Sequence, residues 1–146
     1  MSATEIMLCA QALASSAMCG IIWFVQVIHY PSFALVGGDG RSFAQVNRRR
    51  TAPVVLVFML VEAATAAVIA WSPPAGVPPL VAAAGLGLVV ANVLSTAVVQ
   101  LPLHGRLARD GHDPARVAAL VRSNWLRTVL WTMRAVLAVW MVRAAA

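Results

Sequence analysis

Residues 6–28 read IMLCAQALASSAMCGIIWFVQVI, a run without one charged side chain. As an α-helix at 1.5 Å per residue it is about 35 Å long, enough to cross a hydrocarbon layer roughly 30 Å thick. Three further apolar stretches follow, at 51–71, 80–100 and 124–142. The spacing predicts helices over about 5–29, 51–71, 80–100 and 124–142, in a single domain covering 1–146. The fold class expected is all-α: a four-transmembrane-helix bundle, integral to the membrane.

Composition agrees with that reading. Hydrophobic residues make up 61% of the 146 and charged residues 11%, against roughly 25% charged in ordinary globular chains. Mean hydropathy is +0.82. A soluble domain of this size needs a polar skin that these residues cannot supply, so the lipid bilayer is the expected partner of most of the surface. The net charge is +6 and every cation is Arg. Because the arginines flank apolar segments, the charge reads as a membrane-orientation signal and not as a nucleic-acid surface.

The connections set boundaries. Tyr30-Pro31 is expected to close helix one, since the residue before proline is pushed out of the helical region. Gly37-Gly38-Asp39-Gly40 reads as a turn, and Pro53 falls in the first turn of helix two. Ser72 to Pro79 is an uncharged connector. Pro102 should bend or end helix three. Asp113-Pro114 has the form of an N-cap and first helical position, opening a short interfacial helix over 114–121 before helix four. His112, between Asp110 and Asp113, is expected to be solvated. No internal repeat is evident. Arginines 41, 48, 49, 50, 106, 109, 116, 122 and 127 fall on one side and the second connection carries none. The positive-inside rule therefore predicts a bacterial-type inner (plasma) membrane protein with segments 30–50 and 101–123 cytoplasmic and both termini outside. Cys9 and Cys19 stand about 15 Å apart along one helix, too far for a disulfide. The Ala/Gly-rich helix three could serve close packing within the chain or a homo-oligomer.

Polar residues inside membrane helices are costly, so their positions are informative. Asn124, Arg127, Trp131 and Arg134 share one face of helix four. Glu62, the one acidic residue within a span, lies at a depth that suits an ion pair with Arg134, and Asn92 lies near that depth. A second polar layer collects Gln26, His29, Gln100, His104, Asn124 and Arg127. Together these predict a polar pocket open toward the cytoplasm, with Glu62, Asn92 and Arg134 at its floor. A single transition metal on His29, His104 and Glu62 is one chemistry such a set permits, and a cofactor-free site is the other. The bland reading of Glu62–Arg134 is a structural pair that fixes helix register.

Three segments carry a resemblance: Gln26-Val27-Ile28-His29-Tyr30-Pro31-Ser32-Phe33, Leu101-Pro102-Leu103-His104-Gly105-Arg106-Leu107, and Ser123-Asn124-Trp125-Leu126-Arg127-Thr128. In order and placement the chain resembles the anthrone oxygenase-like family of small four-helix membrane proteins, with His104 where Asn is commoner. The resemblance implies a four-helix bundle and, in its studied members, oxidation of a polycyclic phenol by dioxygen without an obvious cofactor. On that reading His29 or His104 is the base, Arg127 or Arg134 stabilises the oxyanion, and Gln26, Tyr30, Asn92, Gln100, Asn124 and Trp131 surround a small lipophilic molecule. A structural or partner-binding subunit and a small transporter are the alternatives.

Overall fold

Four long apolar helices build the protein in a computed structural model that describes residues 2–38, 40–111 and 113–146. They are α1 (Ala3–Leu35), α2 (Arg41–Trp71), α3 (Pro79–Asp110) and α4 (Pro114–Ala144). Each is long and apolar enough to cross a membrane, and no strand occurs among the described residues. The expected integral-membrane four-helix bundle is what the chain forms. Asp39 and His112, read above as part of a turn and as solvated, lie outside the described residues.

The helices pack in ring order. α1 contacts α2 and α4, and α3 contacts the same two. Apolar side chains such as Leu13, Val57, Leu60, Val98 and Val136 point outward. This inverts the soluble pattern and leaves apolar surface to the bilayer. One core cluster forms around Met18, Ile22, Leu120 and Trp131. A second, at the other end of the bundle, joins Leu8, Ile69, Val77, Ala82 and Met141.

The helix starts follow local chemistry. Ser2 and Glu5 form a capping box on α1. Asp113 caps α4, its carboxylate accepting from the Ala115 N–H at 2.9 Å, with Pro114 in the first turn.

Three expectations about helix ends are corrected, and one of the two alternatives at Pro102 is removed. Tyr30-Pro31 does not close α1. Instead residues Val25–His29 form a π-turn, the helix resumes through Pro31, and it ends as a 3₁₀ turn at Phe33–Leu35. Pro102 does not end α3 either, because Thr96–Gln100 forms the same π-turn in front of it. Each π-turn is closed by the residue just before the proline, Tyr30 N–H donating to Val25 O and Leu101 N–H to Thr96 O. Widening the preceding turn accommodates a ring that would collide with a regular i→i+4 ladder. The two turns stand at the same offset from their prolines, a local repeat that the amino-acid letters concealed. α2 begins ten residues early, at Arg41, so Arg48, Arg49 and Arg50 are helical and Pro53 is interior. Finally, the proposed interfacial helix over 114–121 is the first part of a continuous α4.

The uncharged connector turns at Gly76, whose φ is +81°. A Cβ there would collide with the Ala144 carbonyl. Gly76→Ala should therefore lower stability by about 1–3 kcal/mol, the range for a strained backbone position. A thermal melt in detergent that leaves the variant unchanged would show that the connector and the C-terminal turn separate freely.

Candidate functional site

The π-turns matter because an added residue per turn changes which face the following side chains occupy, and such turns recur at functional sites. His29 is the last residue of one and Gln100 of the other. Both line a cavity of about 120 Å³ at the end of the bundle where α1 and α3 pass their prolines. Met18, Ile21, Ile22, Val25 and Val55 form its apolar wall, while His29, Tyr30, Asn47, Arg48, Gln100, His104 and Arg127 supply polar groups.

The polar side is a connected set. The Tyr30 hydroxyl and His104 Nε2 are hydrogen-bonded at 2.8 Å. Their rings meet at 5.3 Å between centroids, and Arg127 stands beside the same hydroxyl. Asn47 lies beside His29, and the His29 ring is held edge-on against Phe33 at 5.4 Å. Arg127 is held in place from behind: its Nη1 donates to Asn124 Oδ1 at 3.0 Å, and Asn124 Nδ2 donates to Gln26 Oε1 at 2.9 Å. Gln26 in turn donates to the Val121 carbonyl at 3.2 Å. Gln26 and Asn124 thus do not line the cavity; they orient the arginine that does.

Three buried polar atoms of cavity-lining residues have no hydrogen-bond partner among the described residues: His29 Nε2, Gln100 Oε1 and Arg127 Nε. Buried polar atoms are nearly always satisfied. One base, one acceptor and one charged donor, all unfilled around one small space, make this end of the bundle a ligand site in outline.

The deeper polar residues form a separate cluster. Arg134 Nε is ion-paired with Glu62, both fully buried. The Ser15 hydroxyl donates to the other Glu62 oxygen at 2.5 Å. A Cβ on Gly85 would come within 3.0 Å of Arg134 Nη1, so glycine on α3 leaves the guanidinium its room. One residue from every helix therefore builds this cluster. Asn92 is buried too, with its Nδ2 donating to the Leu88 carbonyl at 3.2 Å. None of Glu62, Asn92 and Arg134 lines the cavity, so the expected floor is a distinct site. Trp131 is core, packed in the cluster with Met18 and Ile22, and is not on the cavity wall.

Of the metal set, His29 and His104 reach the cavity, while Glu62 is engaged by Arg134 and Ser15. No group of three His, Cys, Asp or Glu side chains placed to hold a metal occurs among the described residues. A metal on the two histidines would draw its remaining ligands from substrate or water.

Sequence reasoning passed over Asn47, Arg48, Ser15 and Gly85. Arg48 was read only as an orientation signal, yet it lines the cavity. An i, i+3 or i, i+4 scan of α2 toward its polar end would have found Asn47, Arg48 and Thr51 on neighbouring faces. Nothing in the sequence marks Ser15 or Gly85 among their many small neighbours. Compared with family models, curated proteins and solved structures, the chain matches none of them.

Proposed function

We propose that the protein is an inner-membrane oxygenase that takes a small phenol into the His29–Tyr30–His104–Arg127 cavity and oxidises it with dioxygen. The reading takes the arginine-rich helix ends as cytoplasmic and both chain termini as outside. The observation that carries the functional part is the trio of unpartnered atoms, His29 Nε2, Gln100 Oε1 and Arg127 Nε, beside an apolar wall. Apolar lining with a few convergent polar groups is the usual make-up of a small-molecule site.

Size narrows the guest. An apolar cavity of about 150 Å³ holds benzene, so about 120 Å³ suits a single ring. This favours a monocyclic phenol over the polycyclic one that the resemblance implies.

The chemistry follows from which groups are free. Tyr30 already engages His104 Nε2, so His29 Nε2 is the base that accepts the phenol proton. Arg127 then meets the phenolate oxygen, with Tyr30 and His104 holding the arginine's side of the cavity fixed. The phenolate pushes its electrons onto a ring carbon that bears hydrogen. Dioxygen bonds there and takes up the electron pair and a proton, giving a hydroperoxide. Loss of water across its C–H and O–O bonds leaves a carbonyl. The net change is phenol plus O₂ to quinone plus water, which balances without an external reductant.

Dioxygen uptake by protein in nanodiscs, with a panel of monocyclic phenols, tests the reading. Wild type should consume O₂ and form quinone in equal amounts. The His29→Ala/His104→Ala double variant should not. Equal uptake by both proteins would overturn the proposal.

A further inference from the structure

Beside the cavity lies a second, polar groove of about 610 Å³, lined by Gln45, Arg48, Arg49, Gly105, Ala108 and Arg109. Arg48 belongs to both spaces. The groove is built where the start of α2 crosses the end of α3. Gln45 Nε2 donates to the Ala108 carbonyl at 3.1 Å, tying its two walls together. A Cβ on Gly105 would come within 3.2 Å of Arg109 Nη1, so glycine there gives the guanidinium its position.

Three arginines thus line one recess. The described acidic side chains near and far are committed elsewhere. Asp110 and Asp113 pair with Arg116, Glu62 pairs with Arg134, and Glu5 caps α1. Among the described residues no acidic side chain pairs with these three arginines, and an anionic oxygen group would meet them through charge-assisted hydrogen bonds.

Resting on the phenol reading of the cavity, we propose that the substrate is an amphiphile: a phenolic ring in the cavity and an anionic oxygen group, carboxylate or phosphate, in the groove. Arg48, reaching both spaces, marks the path between ring and anion. The groove then sets specificity by holding the charged end in place while the ring is aligned on His29 and Arg127.

The test compares 3-(3-hydroxyphenyl)propionate with its primary amide, titrated into protein in neutral phosphatidylcholine nanodiscs at low salt. The acid should bind about tenfold or more tighter than the amide, as charge-assisted contacts imply. Arg49 and Arg109 are exposed and do not line the cavity, so Arg49→Gln/Arg109→Gln should fold, keep its affinity for the amide, and lose most of the preference for the acid. Arg49→Lys/Arg109→Lys should restore part of it. Equal affinity for acid and amide in wild type would overturn the proposal while leaving the phenol site standing. Failure of both compounds to bind would overturn the cavity reading itself. Retention of phosphatidylglycerol by wild type but not by the Gln variant, with no preference for the acid, would assign the groove to lipid headgroups and likewise overturn the proposal.

Discussion

Replacing Arg134 by Met is expected to destabilise the bundle by about 3–5 kcal/mol, the range for breaking one partner of a buried ion pair. The cost arises from what stays behind. Glu62 is fully buried and would keep only the Ser15 hydroxyl, and an uncompensated carboxylate in the middle of an apolar bundle has no water to turn to. Glu62→Met should do comparable harm by stranding Arg134. The Glu62→Met/Arg134→Met double variant should recover most of the loss, because apolar side chains of similar length replace a pair whose attraction is largely offset by desolvation. Unfolding titrations in mixed micelles would measure all three. Single variants that cost less than about 1 kcal/mol would mean that water reaches the pair and that it contributes little to holding α2 against α4. The double variant also separates roles. If it folds and retains the proposed phenol oxidation, the pair is structural; if it folds and loses that activity, the deep cluster takes part in the proposed chemistry.

On the proposed oxygenase reading, turnover of a monocyclic phenol is expected to fall by about 10²–10⁴-fold in His29→Ala, the usual contribution of a positioned general base. The assignment of His29 over His104 rests on hydrogen-bonding state: His29 Nε2 has no hydrogen-bond partner among the described residues, whereas His104 Nε2 is engaged by Tyr30. Tyr30→Phe should therefore act differently. It removes the hydroxyl beside which Arg127 and His104 stand but leaves the base intact, so kcat should fall less than in His29→Ala. Steady-state kinetics on both variants decide the matter. A Tyr30→Phe or His104→Ala defect larger than that of His29→Ala would move the base to the Tyr30–His104 pair. Wild-type turnover in His29→Ala would remove the histidine from the mechanism.

Much of this protein is legible in its letters, for identifiable reasons. Residues 6–28 and the three apolar runs after them specify membrane helices because lipid forces every backbone polar group into an internal hydrogen bond. Glu62 and Arg134 could be paired from sequence because both are costly alone at their depth. Asp113-Pro114 marked a helix start because capping chemistry is local, although that helix runs on as the fourth span instead of ending at 121. His29, Gln100, His104 and Arg127 of the expected polar layer line one cavity, because their helices reach the same end of the bundle, while Gln26 and Asn124 stand behind Arg127.

Three matters were left to the tertiary structure. Whether Pro31 and Pro102 end a helix depends on a π-turn that packing must support, and a proline in sequence carries either outcome. Whether Glu62 and Asn92 floor the cavity or form a separate cluster depends on side-chain direction, which depth along a helix does not specify; the ion pair and Ser15 draw Glu62 away from the histidines. Whether Arg48 only orients the chain or also lines a site depends on α2 beginning at Arg41, a helix extension past the membrane core that apolar periodicity cannot register. The sequence by itself determined the solvent, the number of helices and the residues too polar to face lipid. Only the packing of four helices decided which of those residues meet, because contacts between distant segments are set by turn geometry and side-chain direction and not by local composition.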